Sequence, residues 1–195
     1  KSAHILSLIN HVFDATAADG AVGVTALLHK GRIVLIADTL VQEWPEPEDL
    51  ATIAIRSAGV ARSLGLEPRV AFVSFSTFGY PVSERATKMH AAPRVLDRMG
   101  VDFEYEGEMT VDVALNMDQM KHYPFCRLTG PANILVVPAR HSASISVKLM
   151  QEMAGATVIG PILTGIKKPI QICSTNSTVN DILNMAVMTA CKIGQ

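Results

Sequence analysis

Residues 47–79 read PEDLATIAIRSAGVARSLGLEPRVAFVSFSTFG, and this stretch decides the fold. Pro47 suits the first position of a helix, and Glu48 and Asp49 sit against the positive end of its dipole. Leu50, Ile53, Ala54, Ala58, Ala61 and Leu64 then recur at helical spacing, so one face is apolar. Gly65 supplies the left-handed residue that ends such a helix. Arg69–Phe75 is a strand-length apolar run, and Ser76-Thr77-Phe78-Gly79 turns at its carboxyl end.

The pattern continues on both sides. Upstream, Val22–His29 and Arg32–Asp38 flank Lys30-Gly31 and predict a β-hairpin. Before it, Ser2–Val12 places Ala3, Ile5, Leu6, Leu8, Ile9 and Val12 largely on one helical face, broken by the small residues of Ala15–Gly20. Thr39–Glu46 is a loop carrying the only tryptophan, Trp44. Downstream, a helix is expected over Arg85–Arg98, interrupted or restarted near Pro93. A short strand follows at Asp102–Glu106, ending at Gly107, then short helical pieces at Val111–Leu115 and Met117–His122. Asn133–Val137 is a strand stopped by Pro138, and His141–Ala154 a helix closed by Gly155. Val158-Ile159 and Ile170–Cys173 are further strand candidates, and the last helix runs from about Ser177 to Ala190. Strands alternating with helices indicate an α/β layered domain with a mostly parallel or mixed sheet.

Composition narrows the function classes. The 195 residues suit one ordinary domain or two small lobes, with 49% hydrophobic and 18% charged residues. Net charge is −1, without a basic stripe, which argues against nucleic acid and anionic membrane as partners. No apolar run approaches a spanning helix. The chain opens on Lys1 in an apolar-periodic segment with no signal-peptide pattern, so a longer parent protein is expected. Cys126, Cys173 and Cys191 lack CxxC spacing; this fits a reducing cytoplasm, with all three buried or inert. The six histidines form no ligand-spaced set, so no metal site is expected.

Ligands of open α/β sheets gather beyond the carboxyl ends of strands. Ser74–Gly79 offers two hydroxyls and a glycine there, either a phosphate cradle or simply a Ser/Thr turn. Pro138–Ser144 is a second such segment. The third is Cys173-Ser174-Thr175-Asn176-Ser177-Thr178-Val179-Asn180-Asp181. Thr178 with Asp181 three residues later is nearly a capping box; Asp181 is alternatively a general base. Glu104, Glu106 and Glu108 alternate, and the simplest reading is a solvated strand face. Lys167-Lys168 reads as a solvated loop or a phosphate contact. The nine methionines read as core filler.

Several segments together resemble the phosphate acetyl/butyryl transferase family: Glu67–Gly79 with Asp38 upstream, Glu106-Gly107-Glu108-Met109 with Asp112–Leu115, Gly130–Pro138, and Lys148 through Gly165. The wording at Ser76–Gly79, Phe103–Met109 and Tyr123–Leu128 is similar to the form of this domain fused behind large bacterial NADP-dependent malic enzymes. The resemblance implies a three-layer αβα fold, isocitrate/isopropylmalate dehydrogenase-like. It implies acetyl-CoA as effector, with ligand contacts at Ser76, Thr77, Gly79, Ser174, Thr175 and Asp181. It also implies a homodimer through this domain, a higher homo-oligomer of the whole protein, and NADP and divalent-metal sites in an upstream part that oxidatively decarboxylates malate. Working transferases of the family carry Ser-Arg-Gly where this chain has Ser174-Thr175-Asn176. The arginine binds the phosphoryl group and a following aspartate, matched by Asp181, acts on the thiol. Neutral Thr175 supplies no bidentate cation, and losing such a contact costs ~2–5 kcal/mol, on the order of a thousandfold in rate. The expectation is a sensing domain whose transferase activity is lost; the alternative is an active acyl-phosphate:CoA transferase.

Overall fold

The computed structural model describes residues 20–38, 40 and 43–193. The helix expected over Ser2–Val12 and all of Ala15–Gly20 except Gly20 lie outside the described residues.

Six strands form one sheet: β1 (Val22–His29), β2 (Arg32–Ala37), β3 (Arg69–Val73), β4 (Glu104–Met109), β5 (Ile134–Val136) and β6 (Thr157–Thr164), in the order β4-β3-β5-β2-β1-β6. β2, β5, β3 and β4 pair in parallel, while β1 runs antiparallel to both β2 and β6. The sheet is therefore mixed, with one reversed strand. The reversal comes from the hairpin: Lys30 and Gly31 both take positive φ (48° and 76°), the two-residue turn whose twist matches its flanking strands.

Helices cover both faces. On one, α1 (Pro47–Ser63) and α2 (Glu84–Met99) bury Leu50, Ile53, Ala54, Met89 and Leu96 against Val70 and Phe72. On the other, α3 (Val111–Leu115), α4 (Met117–Met120) and α5 (Arg140–Ala154) bring Val113, Met120 and Ala143 against Ala71, Val73 and Leu135. The last helix, α6 (Val179–Ile193), lies on the first face, where Met188 joins the core at the β6 end. The result is the expected three-layer arrangement.

Three expectations change. α2 runs unbroken through Pro93, because Met89, Ala92 and Leu96 on its inner face are fully buried and hold it to the sheet across the lost hydrogen bond. β4 continues through Gly107 to Met109, since a residue without a Cβ lets the strand press on Phe72; an added Cβ would meet the Phe72 carbonyl oxygen at 2.6 Å. Ile170–Cys173 is not a strand. The strand starting near Val158 instead extends to Thr164 and forms the sheet edge there.

Loops dock on both edges. On β4, Glu104 accepts hydrogen bonds from Thr129 N (2.9 Å) and Oγ1 (2.7 Å), and Glu106 from Arg127 N (3.1 Å) and Nε (3.0 Å). On β6, the Gln171 amide accepts from Leu163 N (2.6 Å) and donates to Leu163 O (3.2 Å). A docked loop hinders pairing with further strands.

Candidate functional site

A cleft of about 390 Å³ straddles the β6 edge. Its floor is Val158-Ile159-Gly160, its walls are α5 and α6, and its rim is the loop that leads into α6. Ser174, Asn176, Ser177 and Asp181 face it from the loop and helix, and Ser144, Lys148 and Gln151 from α5. Val147, Ile172 and Met185 add apolar wall. Lys148 is the one cation among these lining residues and Asp181 the one anion; among the described residues, no guanidinium lines the cleft.

The approach to α6 follows its capping chemistry. Asp181 Oδ2 accepts from Thr178 N (2.8 Å) while Thr178 Oγ1 accepts from Asp181 N (3.2 Å), a complete reciprocal box. The Thr178 backbone N–H, and then its hydroxyl, hold the Asp181 carboxyl below the usual carboxylate range. Asp181 thus caps the helix and lines the cleft at once. Capping makes it a weaker base than an unrestrained carboxylate. Ser174 Oγ accepts from Asn176 N (3.3 Å) and Ser174 O from Ser177 N (3.1 Å), which turns the loop back toward α6. Thr175 is exposed and does not line the cleft.

Ser76, Thr77 and Gly79 lie elsewhere, beyond β3 and β4. Four strand spacings separate β3 from β6 in the sheet order, roughly 19 Å. Ser76 is fully buried and donates to Glu108 Oε1 (2.8 Å), which also accepts from Gly79 N (2.8 Å). Thr77 Oγ1 accepts from Thr110 N (3.2 Å). The structure brings Ser174 and Asp181 into one cleft, sets Thr175 at its margin, and keeps the Ser76–Gly79 turn apart from them.

The alternating glutamates are not a solvated face. Glu106 and Glu108 are buried, at 7% and 0% exposure. A register shift at Phe72/Val73 leaves Glu108 as the extra residue of β4 and breaks the alternation. Glu104 and Glu106 serve the loop at Arg127–Thr129, whereas Glu108 turns to α2, where His90 Nδ1 meets Oε2 at 2.8 Å. With Nδ1 donating, His90 Nε2 accepts from Arg94 at 3.2 Å. The role of Glu108 had no local signal: the sequence shows the alternation but not the bulge.

Arg127 ties three elements together. It donates to Glu106 and to Asp97 Oδ1 (2.6 Å), its Cζ lies 4.6 Å from the Tyr105 ring centre, and Tyr105 Oη donates to Asp97 (2.7 Å). Burial alone would lower the Arg127 pKa, but the hydrogen bonds to Glu106 and Asp97 win and raise it. The Tyr105 hydroxyl, followed by Arg127, holds the Asp97 carboxyl low.

Lys167 and Lys168 are exposed, as a solvated loop requires, yet they line a separate cavity of about 370 Å³ with Arg56 of α1. Neither reaches the Ser174 cleft. Pro138 and Ala139 of the second candidate segment line a smaller cavity with Trp44 and Lys88. Of the cysteines expected to be buried or inert, Cys173 is exposed on the cleft and Cys126 is half-buried, because both sit in loops and not on the core faces. Burial pushes the Cys126 thiol up. The Cys191 side chain lies outside the described residues. Among the described residues, no group of three or more His, Cys, Asp or Glu is arranged to hold a metal, and no helix is long and apolar enough to cross a membrane.

Similar proteins share both sequence and fold. The chain is 49% identical over 186 residues to an NADP-dependent malic enzyme of Rhizobium meliloti, covering 95% of this chain and 24% of that protein. It is 36% identical over 161 residues to a phosphate acetyltransferase of Thermoanaerobacterium thermosaccharolyticum, covering 81% of this chain and 49% of that protein. The chain thus spans about a quarter of the first and half of the second. The solved EutD phosphotransacetylase of Staphylococcus aureus superimposes with a TM-score of 0.85 at 26% identity, over 94% of this chain and 58% of that one. The family model for phosphate acetyl/butaryl transferase matches residues 2–190, and the chain belongs to that family.

Proposed function

We propose that this domain binds acetyl-CoA in the Ser174–Asp181 cleft and regulates an NADP-dependent malic enzyme of which it is the C-terminal part, having lost transferase activity. The observation that carries the proposal is the charge of the cleft. Ser174 and Asp181, the positions matching the family's active-site serine and aspartate, share it, but among the described residues its one cation is Lys148 and no guanidinium lines it. Clamping a phosphoryl group in flight calls for a fixed bidentate cation, which a lysine replaces poorly. Asp181 is also held low by its capping bonds, the wrong direction for a base that must take a thiol proton. Binding demands less. Asn176, Asn184 and Gln151 offer amides, Ser144 and Ser177 hydroxyls, and Val147, Ile172 and Met185 apolar contact, a lining suited to an amide-containing, partly apolar chain such as the pantetheine arm. The fit concerns this cleft alone; Ser76, fully buried on Glu108, and the Thr77–Gly79 turn lie outside it.

Regulation then follows from different affinity of two quaternary states for acetyl-CoA. The exposed apolar stripes Ile145-Leu149-Met153 on α5 and Val179-Ile182-Leu183-Val187 on α6 flank the cleft and support a homodimer that encloses it, within a larger homo-oligomer. Malate, NADP and the divalent metal belong to the upstream part, in the cytoplasm.

Calorimetric titration of the full-length protein with acetyl-CoA tests the proposal: saturable binding with an accompanying change in malate oxidation is expected, and no saturable binding refutes sensing. The retained Ser174 and Asp181 favour one rival, an active transferase. Sustained phosphate-dependent turnover of acetyl-CoA would establish it.

A further inference from the structure

The geometry points to His90 as a phosphoryl-accepting side chain, whose Nε2 takes the group from a phosphoramidate donor. The inference stands apart from the acetyl-CoA cleft and uses none of its residues.

His90 lies on α2, and its Nδ1 meets Glu108 Oε2 at 2.8 Å. Glu108 is fully buried, and Ser76 Oγ and Gly79 N both donate to its Oε1 (2.8 Å each). Bonds on one oxygen thus aim the other at the imidazole. A carboxylate only accepts, which puts the ring proton on Nδ1 and the lone pair on Nε2. Arg94 Nη2, 3.2 Å from Nε2, requires the same tautomer, because a guanidinium only donates. Two partners on opposite sides of the ring therefore select the form whose outer nitrogen is nucleophilic. The His90 side chain is 38% exposed, so a small reagent reaches that nitrogen.

Both partners also suit the product. When Nε2 bonds phosphorus, Nδ1 keeps its proton and the ring becomes cationic. The Glu108 carboxylate then stabilises that charge, as the buried aspartate of a catalytic triad stabilises its imidazolium. The Arg94 guanidinium, released from the lone pair, stands beside the new phosphoryl oxygens, whose geometry its fork matches. A guanidinium beside the nucleophile selects an anionic group over an uncharged acyl group. In the step itself, the Nε2 lone pair forms the N–P bond, the donor's P–N bond breaks, and the amine leaves with that electron pair. No proton leaves His90. Because Glu108 also anchors Ser76 and Gly79, the modification bears on that turn through one carboxylate.

Incubating the full-length protein with inorganic phosphoramidate tests the assignment, with peptide mapping in alkali for the residue and phosphorus NMR for the nitrogen. Exposure alone favours His122 and His141, both exposed, over half-buried His90. His90 is instead expected to react about tenfold faster than either, on Nε2, the factor of one net hydrogen bond. Earlier reaction of His122 or His141, or reaction of His90 on Nδ1, overturns the proposal. Glu108→Gln turns an amide NH₂ toward Nδ1, moves the ring proton to Nε2 and blocks the nucleophile. Labelling of His90, measured against His122 and His141 in the same sample, is expected to fall about tenfold. An unchanged ratio would show that the carboxylate does not set the reactive tautomer and would overturn its part. Arg94→Met is expected to slow the His90 reaction; a faster one would show that the guanidinium only masks Nε2, which sinks its role as clamp.

Discussion

Removing the Glu108 carboxylate should cost far more than neutralising it. Glu108 is fully buried and receives three donors: Ser76 Oγ and Gly79 N on Oε1, and His90 Nδ1 on Oε2, each at 2.8 Å. Glu108→Ala leaves the Ser76 hydroxyl and the Gly79 N–H without an acceptor. The orphaned, fully buried Ser76 hydroxyl costs ~1–3 kcal/mol, water meets the Gly79 N–H of an exposed residue at little cost, and the vacated space adds ~2 kcal/mol, so the sum is about 4 kcal/mol. His90 contributes little to that sum, because its side chain is 38% exposed and water replaces the lost partner. Glu108→Gln keeps one oxygen for Ser76 and Gly79 and turns its NH₂ toward His90. His90 answers by changing tautomer, and exposed Arg94 swings away. The expected cost is about 1 kcal/mol. Urea unfolding followed by far-UV circular dichroism separates the two, with about 3 kcal/mol between the variants and roughly 6–12 °C between their midpoints in a thermal melt. Ser76→Ala alone should cost about 1 kcal/mol, and combined with Glu108→Ala it should cost less than the sum, because the orphaned hydroxyl is gone. Equal stability of Glu108→Ala and Glu108→Gln would refute the claim that this carboxylate holds the turn.

Arg127→Lys should destabilise the fold by about 1–2 kcal/mol, since lysine cannot bridge Glu106 and Asp97 while lying over Tyr105; chemical denaturation checks it, and a change near zero would mean solvent screens the fork. Cys173 should react with iodoacetamide well before Cys126, whose thiol burial pushes up, and acetyl-CoA should slow only the Cys173 reaction; peptide mapping by mass spectrometry reads both. Asp181 and Asp97 have carboxyls held low in the folded state, so their contribution to stability is present above the unfolded carboxylate range near pH ~3.9 and is lost as pH falls through their lower folded values. Asp181→Asn should therefore flatten the acid limb of a stability–pH profile, and an unchanged acid slope would count against the capping bonds as its cause.

Much of the layered fold follows from spacing that a single element can express. Pro47, the apolar face from Leu50 to Leu64 and Gly65 define α1 without help from the rest of the chain. Lys30-Gly31 defines the hairpin turn, and Thr178 with Asp181 defines the start of α6. These are signals of neighbouring residues, carried by propensity, capping and turn geometry. Pro93 misled because the proline rule is local, whereas the burial that keeps α2 continuous comes from the sheet beneath it. For the cleft, chain order brought Ser174 and Asp181 together but could not say that Lys148 faces them from another helix.

By itself, the sequence determined the alternation of strands and helices, the capped ends of the helices and the neutral Thr175 beside Ser174, because each is written within a few consecutive residues. Tertiary structure alone decided the strand order, the burial of Glu106 and Glu108, the distance between the Ser76 turn and the Ser174 cleft, and the pairing of Gln171 with Leu163. All four depend on which segments come to lie side by side. That is settled by the summed burial of both sheet faces, and no short stretch of chain contains it.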